Sequence, residues 1–129
     1  MAFDFVPDAI IRGRSDRGRS NFHAGKAAED AVALHYERQG VTICARRWRG
    51  HCGEIDLVGR LGDDVIVIEV KQSQTHDLAA SHVLPGQIGR IFATAEEFLA
   101  GEPMGTDLRI DLALVDGQGR IDVLENAFA

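Results

Sequence analysis

The 129-residue sequence has few of the features that define several classes of protein. It contains two cysteines, Cys44 and Cys52, which are too few for a disulfide scaffold and which suit a reducing cytoplasm as free thiols. No apolar run approaches the roughly 18 residues that a transmembrane helix needs, and the start lacks the basic and apolar regions of a signal peptide. A glycine-rich phosphate loop is also missing. We therefore expect a cytoplasmic protein with no membrane partner.

The composition is typical of one globular domain, with 45% hydrophobic and 26% charged residues. The net charge of -6 argues against the simplest kind of nucleic-acid binder. The charge is uneven, because residues 1–53 carry nine Lys and Arg against six Asp and Glu, whereas residues 54–129 carry five against fourteen. A basic end on an acidic body can still bind a phosphate backbone if the basic groups share one face.

The segment between positions 12 and 20 contains no apolar residue and reads Arg-Gly-Arg-Ser-Asp-Arg-Gly-Arg-Ser. This composition predicts that residues 1–20 form a basic, disordered arm and that residues 21–129 form a single domain. The arginines of the arm, Arg12, Arg14, Arg17 and Arg19, could bind phosphates. The alternative is a solvated terminus with no specific role.

The rest of the chain alternates between helical and extended patterns. Apolar spacing predicts one helix over residues 22–39, which begins after Asn21 and ends at Gly40, and a second over residues 86–100. Strands are predicted at residues 41–45, 54–60, 64–71, 108–114 and 121–124, with residues 46–50 as a loop and residues 61–63 as a turn. Because residues 65–68 are apolar on both faces, their strand is predicted to lie in the middle of the sheet. The fold class is therefore α/β, with a mixed central β-sheet flanked by helices.

Charged side chains interrupt two strands that are otherwise apolar. In the strand over residues 64–71, Glu69 and Lys71 follow Val65 and Val67 on one face, because side chains alternate along a strand. In the preceding strand Glu54 and Asp56 share a face, and Ile55 and Leu57 are predicted to share the other. A tight hairpin would place Asp56 beside Glu69, with the Lys71 ammonium adjacent.

Two carboxylates at this distance repel each other unless one is protonated or a cation lies between them. Mg²⁺ fits such a pair, because it binds one or two carboxylates together with water and phosphate oxygens. Lys71 could then orient or deprotonate a water molecule, or hold the phosphate. The alternative is a structural ion pair between Glu69 and Lys71, with Asp56 accepting hydrogen bonds from turn amides.

The sequence Gly-Glu-Ile-Asp-Leu-Val at residues 53–58, followed by Glu-Val-Lys at residues 69–71, resembles the YraN family of small bacterial proteins. Weaker similarity extends over the first helix, where Gly25, Glu29, Leu34 and Tyr36 fit the family pattern, and over residues 109–111. The family belongs to the PD-(D/E)XK nuclease superfamily. The resemblance implies a restriction-endonuclease-like fold, similar to that of Holliday junction resolvases, and hence a nuclease-like domain over residues 21–129.

The resemblance also implies roles for individual residues. Asp56 and Glu69 would be the metal ligands and Lys71 the catalytic lysine; Glu29 would reach the site from the first helix, and Glu54 would lie behind the ligands or face the substrate. Two basic positions of the family are missing, since Gln72 and Ser73 follow Lys71, and Pro85-Gly86-Gln87 stands where a lysine is usual. Arg90 is the nearest base. Both losses weaken the attraction for phosphate.

The loop predicted at residues 46–50 suggests a nucleic-acid contact. Trp48 lies among Arg46, Arg47 and Arg49 and could stack on a base, as in proteins that bind single strands; the alternative is an aromatic residue covering the sheet edge. Cys44, His51 and Cys52 could be read as a cluster for a soft metal, but no C-x-x-C pair accompanies them. Arg109 and Asp111 share a strand face and are predicted to form a structural ion pair.

These observations favour an endonuclease that hydrolyses DNA phosphodiester bonds with Mg²⁺ or Mn²⁺, with branched or flap DNA as substrate. Asp56 and Glu69 would hold the ion, Lys71 would align the attacking water, and Glu29 would complete the acidic site. Resolvase-like action would call for a homodimer. The alternative is a non-catalytic module that binds nucleic acid or protein, which the acidic charge of residues 54–129 and the missing basic positions favour.

Overall fold

The computed structural model describes residues 12–128, with side chains from residue 25 onward. In chain order the elements are α1 (Arg12–Glu37), β1 (Thr42–Arg49), β2 (Glu54–Leu61), β3 (Asp64–Gln72), α2 (His76–Ser81), α3 (Pro85–Leu99), β4 (Leu108–Val115) and β5 (Ile121–Leu124). The five strands form one sheet in the order β1-β2-β3-β4-β5, with β3 and β4 parallel and every other neighbouring pair antiparallel. The predicted α/β class with a mixed central sheet flanked by helices is therefore confirmed.

The sheet is covered on both faces. On one face, Ile66 and Ile68 of β3 pack in a cluster with Val32 and Tyr36 of α1. On the other, Val65 and Val67 belong to a cluster that includes Ile91 and Ala95 of α3. The prediction that β3 is a central strand is therefore confirmed. Because side chains alternate, the face of Val65 and Val67 is also the face of Glu69 and Lys71.

The first helix begins earlier than its apolar pattern predicts. Its backbone is helical from Arg12, so the predicted start after Asn21 is wrong, and residues 12–20 are helix rather than an arm without secondary structure. Backbone hydrogen bonds form a helix without an apolar stripe, whereas the predicted start depended on where the stripe begins and on Asn21 as a cap. Residues 1–11 of the predicted arm lie outside the described residues, so the predicted phosphate role of the arm stays a prediction. Within residues 12–128, no helix has the length and apolar composition needed to cross a bilayer.

The strand β1 is longer than predicted and irregular. Residues 46–49, predicted as a loop, belong to β1 and pair with β2, where Arg46 lies opposite Leu57 and Arg49 opposite Glu54. The register shifts between Ile43 and Ala45, and Arg47 has a φ of 50°. These irregularities break the two-residue alternation by which a strand is recognised, which explains the error.

The shared face predicted for Ile55 and Leu57 is also wrong. Ile55 packs in the cluster beneath α3, whereas Leu57 packs in the cluster beneath α1. On β1, the residue between the partners of Leu57 and Ile55 is Arg47, whose φ of 50° departs from regular strand geometry at this level of the sheet.

The short helix α2 was missed by the sequence analysis. Its six residues begin after Thr75, whose side chain accepts a hydrogen bond from the backbone N–H of Leu78 at 3.1 Å. A helix of this length is too short to show an apolar stripe, so the threonine cap was its only signal. Together α2 and α3 make the crossover that parallel strands such as β3 and β4 require.

Candidate active site

The hairpin of β2 and β3 brings Asp56, Glu69 and Lys71 together at the strand ends. Leu57 opposite Ile68 is the last pair of the ladder, and Asp56 and Glu69 are the residues next to this pair on the two strands. Asp56 Oδ2 accepts a hydrogen bond from the backbone N–H of Val70 at 2.8 Å. The exposed fractions of Asp56, Glu69 and Lys71 are 7%, 8% and 3%. Three ionisable side chains are therefore buried side by side.

These three side chains line a cavity of about 280 Å³ between the hairpin and α3. From the hairpin side the cavity is also lined by Gly53 and Glu54. Its other wall is one face of α3, made of Gln87, Arg90, Ile91 and Thr94. The buried charges are thus open to a molecule that enters between the sheet and the helix.

The two buried carboxyl groups are poorly stabilised as anions. Burial raises the pKa of Asp56 to about 6, although the hydrogen bond from Val70 acts in the opposite direction. Burial and the charge of Asp56 raise the pKa of Glu69 well above its usual range. The Lys71 ammonium lowers the pKa of both groups but does not restore the ordinary values. A further positive charge in the cavity would therefore stabilise the ionised pair.

The donor set fits a hard divalent cation. Glu69 Oε2 is buried and has no hydrogen-bond partner among the described residues, so one oxygen of the pair is left for a ligand. Within residues 25–128 no three His, Cys, Asp and Glu side chains group together as a ready metal site. Two carboxylates completed by water and substrate oxygens are the ligands that Mg²⁺ prefers, whereas zinc sites use three or four protein ligands.

The soft-metal cluster considered for Cys44, His51 and Cys52 does not form in the described part of the chain. Cys44 and Cys52 are exposed free thiols, and His51 Nδ1 lies 3.0 Å from Glu97 Oε2.

The two other acidic candidates lie near the pair but in different surroundings. Glu54 lines the cavity, and its carboxylate lies 3.6 Å from the guanidinium of Arg49. Glu29 is not among the residues that line the cavity, and its Oε1 lies 3.1 Å from Arg47 Nε. The charge of Glu29 still raises the pKa of Asp56, so α1 brings this carboxylate within electrostatic range of the site.

The residues predicted to bind nucleic acid already have partners in the protein. Arg46 donates a hydrogen bond of 2.7 Å to Asp30, Arg47 pairs with Glu29 and Arg49 with Glu54. Trp48 packs on the cluster beneath α3, with its ring edge-on to Phe98 at a centroid distance of 5.3 Å. The position of Trp48 therefore agrees with the alternative of an aromatic residue that covers the sheet.

A contact that the sequence analysis missed fixes the loop before β2. Glu97 of α3 accepts hydrogen bonds from the backbone N–H groups of His51 at 2.9 Å and Cys52 at 2.8 Å. These bonds lower the pKa of Glu97 to about 2. The only sequence signal is an acidic residue three positions after the buried Thr94, on the same side of the helix. The contact holds the loop that leads to Gly53 and Glu54 against α3.

The predicted ion pair between Arg109 and Asp111 is confirmed. Arg109 donates hydrogen bonds of 2.9 and 2.8 Å to the two carboxylate oxygens of Asp111. The Tyr36 hydroxyl donates to Asp111 Oδ2 at 2.7 Å, and the backbone N–H of Asn126 donates to Oδ1 at 3.0 Å. Both oxygens of Asp111 are thus satisfied, in contrast to the unpartnered Oε2 of Glu69.

Comparison with known proteins gives closely related sequences. A UPF0102 protein of Cereibacter sphaeroides strain KD131 is 54% identical over 114 residues, which cover 87% of this chain and 97% of that protein. A UPF0102 protein of Ruegeria pomeroyi is 50% identical over 120 residues, which cover 92% and 98%. The model of the uncharacterised protein family UPF0102 matches residues 28–124, which include the whole hairpin and α3. The chain therefore belongs to the UPF0102 family, to which the YraN-like resemblance of its sequence pointed.

Proposed function

We propose that this protein is a divalent-metal-dependent endonuclease that hydrolyses phosphodiester bonds in DNA, with branched or flap DNA as substrate. One observation carries the proposal: Asp56 and Glu69 are buried side by side in an open cavity, with Glu69 Oε2 unpartnered among the described residues and Lys71 beside them. The mixed sheet with helices on both faces is compatible with the restriction-endonuclease-like fold that the sequence motif implies.

Asp56 and Glu69 would hold Mg²⁺ or Mn²⁺ through their carboxylate oxygens. The chemistry that such an ion supplies is Lewis-acid stabilisation of the charge that grows on the phosphoryl oxygens. Burial of the two carboxylates favours binding of this ion, because desolvated carboxylates attract a cation more strongly than hydrated ones. The hydrogen bond from Val70 fixes the orientation of Asp56 before the ion arrives.

Lys71 would act on the water or on the phosphate. Its ammonium lies on the same strand face as Glu69 and is buried at the inner wall of the cavity. In this position it can donate a hydrogen bond to the attacking water and hold it in line, or neutralise the phosphate. Glu54 would face the substrate from the edge of the cavity, and Glu29 would add negative charge from α1.

A second candidate function is a non-catalytic module that binds nucleic acid or protein. The pairing of Arg46, Arg47 and Arg49 with carboxylates favours it, because these guanidinium groups must leave their partners before they bind phosphate. The buried carboxylates favour the nuclease, since a scaffold gains nothing from burying two anions with raised pKa values.

A cleavage panel separates the two functions. The purified protein and its Asp56→Asn variant are incubated with single-stranded, duplex, flap and four-way DNA in Mg²⁺, in Mn²⁺ and in EDTA. If the protein is a nuclease, the parent should cleave at least one substrate, and this cleavage should depend on the metal ion. The cleavage rate of Asp56→Asn should be at least a hundredfold lower than that of the parent. If the parent binds these substrates and cleaves none of them, the protein is a non-catalytic binding module.

A further inference from the structure

Arg90 lines the cavity and differs in its contacts from the arginines of β1. It makes no ion pair and its guanidinium makes no hydrogen bond within residues 25–128, although it lines the cavity. Arg46, Arg47 and Arg49 of β1 are each paired with a carboxylate. The donors of Arg90 are therefore not used by the part of the protein that the structure describes.

The position of Arg90 is fixed by α3. Gln87, Arg90, Ile91 and Thr94 follow the three- and four-residue spacing of a helix and form the wall of the cavity that faces the hairpin. The loop approaches this wall so closely that a Cβ atom on Gly53 would lie 3.1 Å from Thr94 Oγ1 and 3.8 Å from Arg90 Cδ. Gly53 thus lets the loop approach Thr94, and the stem of Arg90 lies within ordinary contact distance of the same position.

The charges of the cavity leave a role for this guanidinium. Asp56, Glu69 and Glu54 give the lining three carboxylates, which repel a phosphodiester. The Lys71 ammonium is buried and its charge acts on Asp56 and Glu69. Without a bound metal ion, a phosphate that enters this cavity therefore needs another cation at the wall, and a guanidinium can bind two of its oxygens at once.

We propose that Arg90 is the phosphate-binding residue of this cavity and that it binds a phosphodiester of a nucleic-acid strand. The proposal rests on the proposed function, since it concerns the substrate of the same site. Gln87 lies one turn before Arg90 on the same wall; its Oε1 accepts from the backbone N–H of Leu84 at 3.4 Å, which leaves its amide NH₂ as a second donor toward the cavity.

Binding of a fluorescent single-stranded oligonucleotide in EDTA, measured by anisotropy at several salt concentrations, tests this role without cleavage. Arg90→Gln is compared with the parent and with Arg38→Gln, which removes the same charge from an exposed site at the end of α1. We expect Arg90→Gln to weaken binding about tenfold, as for the removal of one charge-assisted hydrogen bond, and to lower the slope of log affinity against log salt by about 0.7. Arg90→Lys should recover part of the affinity, because it keeps the positive charge. The recovery should be incomplete, because an ammonium cannot bind two phosphate oxygens in the bidentate manner of a guanidinium.

The control Arg38→Gln should stay within about twofold of the parent. The melting temperature of Arg90→Gln should equal that of the parent, since no ion pair is broken within the described residues. Equal affinity and slope for Arg90→Gln and Arg38→Gln would overturn the proposal, and so would a parent that does not bind the oligonucleotide.

Cleavage assays on the same variants separate this inference from the proposed function. If Arg90→Gln weakens binding and the parent cleaves no DNA, the phosphate role of Arg90 stands and the nuclease is wrong. If the parent cleaves and Arg90→Gln has an unchanged KM and affinity, the nuclease stands and the role of Arg90 is wrong. If both are right, Arg90→Gln raises KM, whereas Asp56→Asn lowers kcat.

Discussion

The carboxylate of Asp56 on β2 accepts a hydrogen bond of 2.8 Å from the backbone N–H of Val70 on β3, the residue between Glu69 and Lys71. This bond holds a side chain of one strand against the backbone of the next, at the point where the hairpin carries its buried charges. The Oε2 atom of Glu69, which has no hydrogen-bond partner among the described residues, is then left for a ligand. The geometry of the site thus depends on an acceptor atom at position 56, and its charge depends on the carboxylate.

Replacing Asp56 with Asn separates these two properties. The amide oxygen can still accept from Val70, so the variant should fold, but the site loses one of its two anionic ligands. In the parent, Mn²⁺ at 100 times its Kd should stabilise the folded state by about 2.7 kcal/mol, seen as a rise in Tm, and the variant should show little or no rise. A Mn²⁺-soaked crystal should place the ion about 2.0–2.6 Å from both carboxylates. Equal shifts in Tm for the parent and the variant would contradict a metal site formed by Asp56 and Glu69.

Removing the charge of Glu69 should stabilise the protein in the absence of metal. Burial raises the pKa of this carboxyl well above its usual range, so its ionised form opposes folding at neutral pH. Glu69→Gln is therefore expected to have a higher Tm than the parent in EDTA and no response to Mn²⁺. The exposed Glu96→Gln serves as a control and should leave both values unchanged. A fall in Tm in EDTA for Glu69→Gln would show that the carboxylate is paired more strongly than the structure indicates.

Lys71→Met tests whether the ammonium serves catalysis or only balances charge. Methionine fills a similar volume, and the cavity around it still contains both carboxylates. For the nuclease we expect loss of cleavage with retained or higher Mn²⁺ affinity, because a competing positive charge has been removed. A purely structural ion pair predicts instead a loss of roughly 3–5 kcal/mol in unfolding free energy, the usual result of breaking a buried pair. Two measurements separate these readings, the cleavage rate and the free energy of unfolding. If the protein is a nuclease, the free energy of unfolding of Lys71→Met in Mn²⁺ should fall by much less than this.

The contact of Glu97 with the loop before β2 should be sensitive to acid. The backbone N–H groups of His51 and Cys52 lower the pKa of Glu97 to about 2, compared with 4.5 for a free glutamate. Since this folded-state pKa is depressed, the stabilisation is complete above pH 4.5 and is lost as the pH falls toward 2. Urea unfolding at about pH 7, 4 and 2 should show Glu97→Gln to be less stable than the parent at neutral pH, with the difference shrinking as the pH falls. A difference that does not change with pH would mean that the charge of Glu97 contributes nothing.

Deleting residues 1–20 tests the predicted role of the basic N-terminal segment. If its four arginines bind phosphates, the slope of log affinity against log salt on duplex DNA should flatten by about 0.9 for each phosphate that the segment neutralises. An unchanged slope and affinity would assign no nucleic-acid role to this segment. Because α1 begins at Arg12, a variant with the arginines changed to glutamine in the full-length chain is the matched control for the shortened helix.

Local patterns in the sequence were sufficient for much of the fold and for the centre of the site. The apolar run at residues 65–68 predicted a central strand, and alternation placed Glu69 and Lys71 on one face, because a strand directs successive side chains to opposite sides. The short turn between β2 and β3 was enough to place Asp56 beside Glu69. The spacing of Ile91 and Ala95 identified α3 from its own periodicity.

Only the tertiary structure decided what surrounds that centre. Glu97 reaches His51 from 46 residues away, Glu29 pairs with Arg47, and Arg90 meets Gly53 across the cavity, and no local pattern encodes such distances. Ile55 and Leu57 pack in clusters on opposite faces of the sheet, against the two-residue rule. Periodicity determines which face of an element is buried, whereas the packing of one element on another determines which side chains meet.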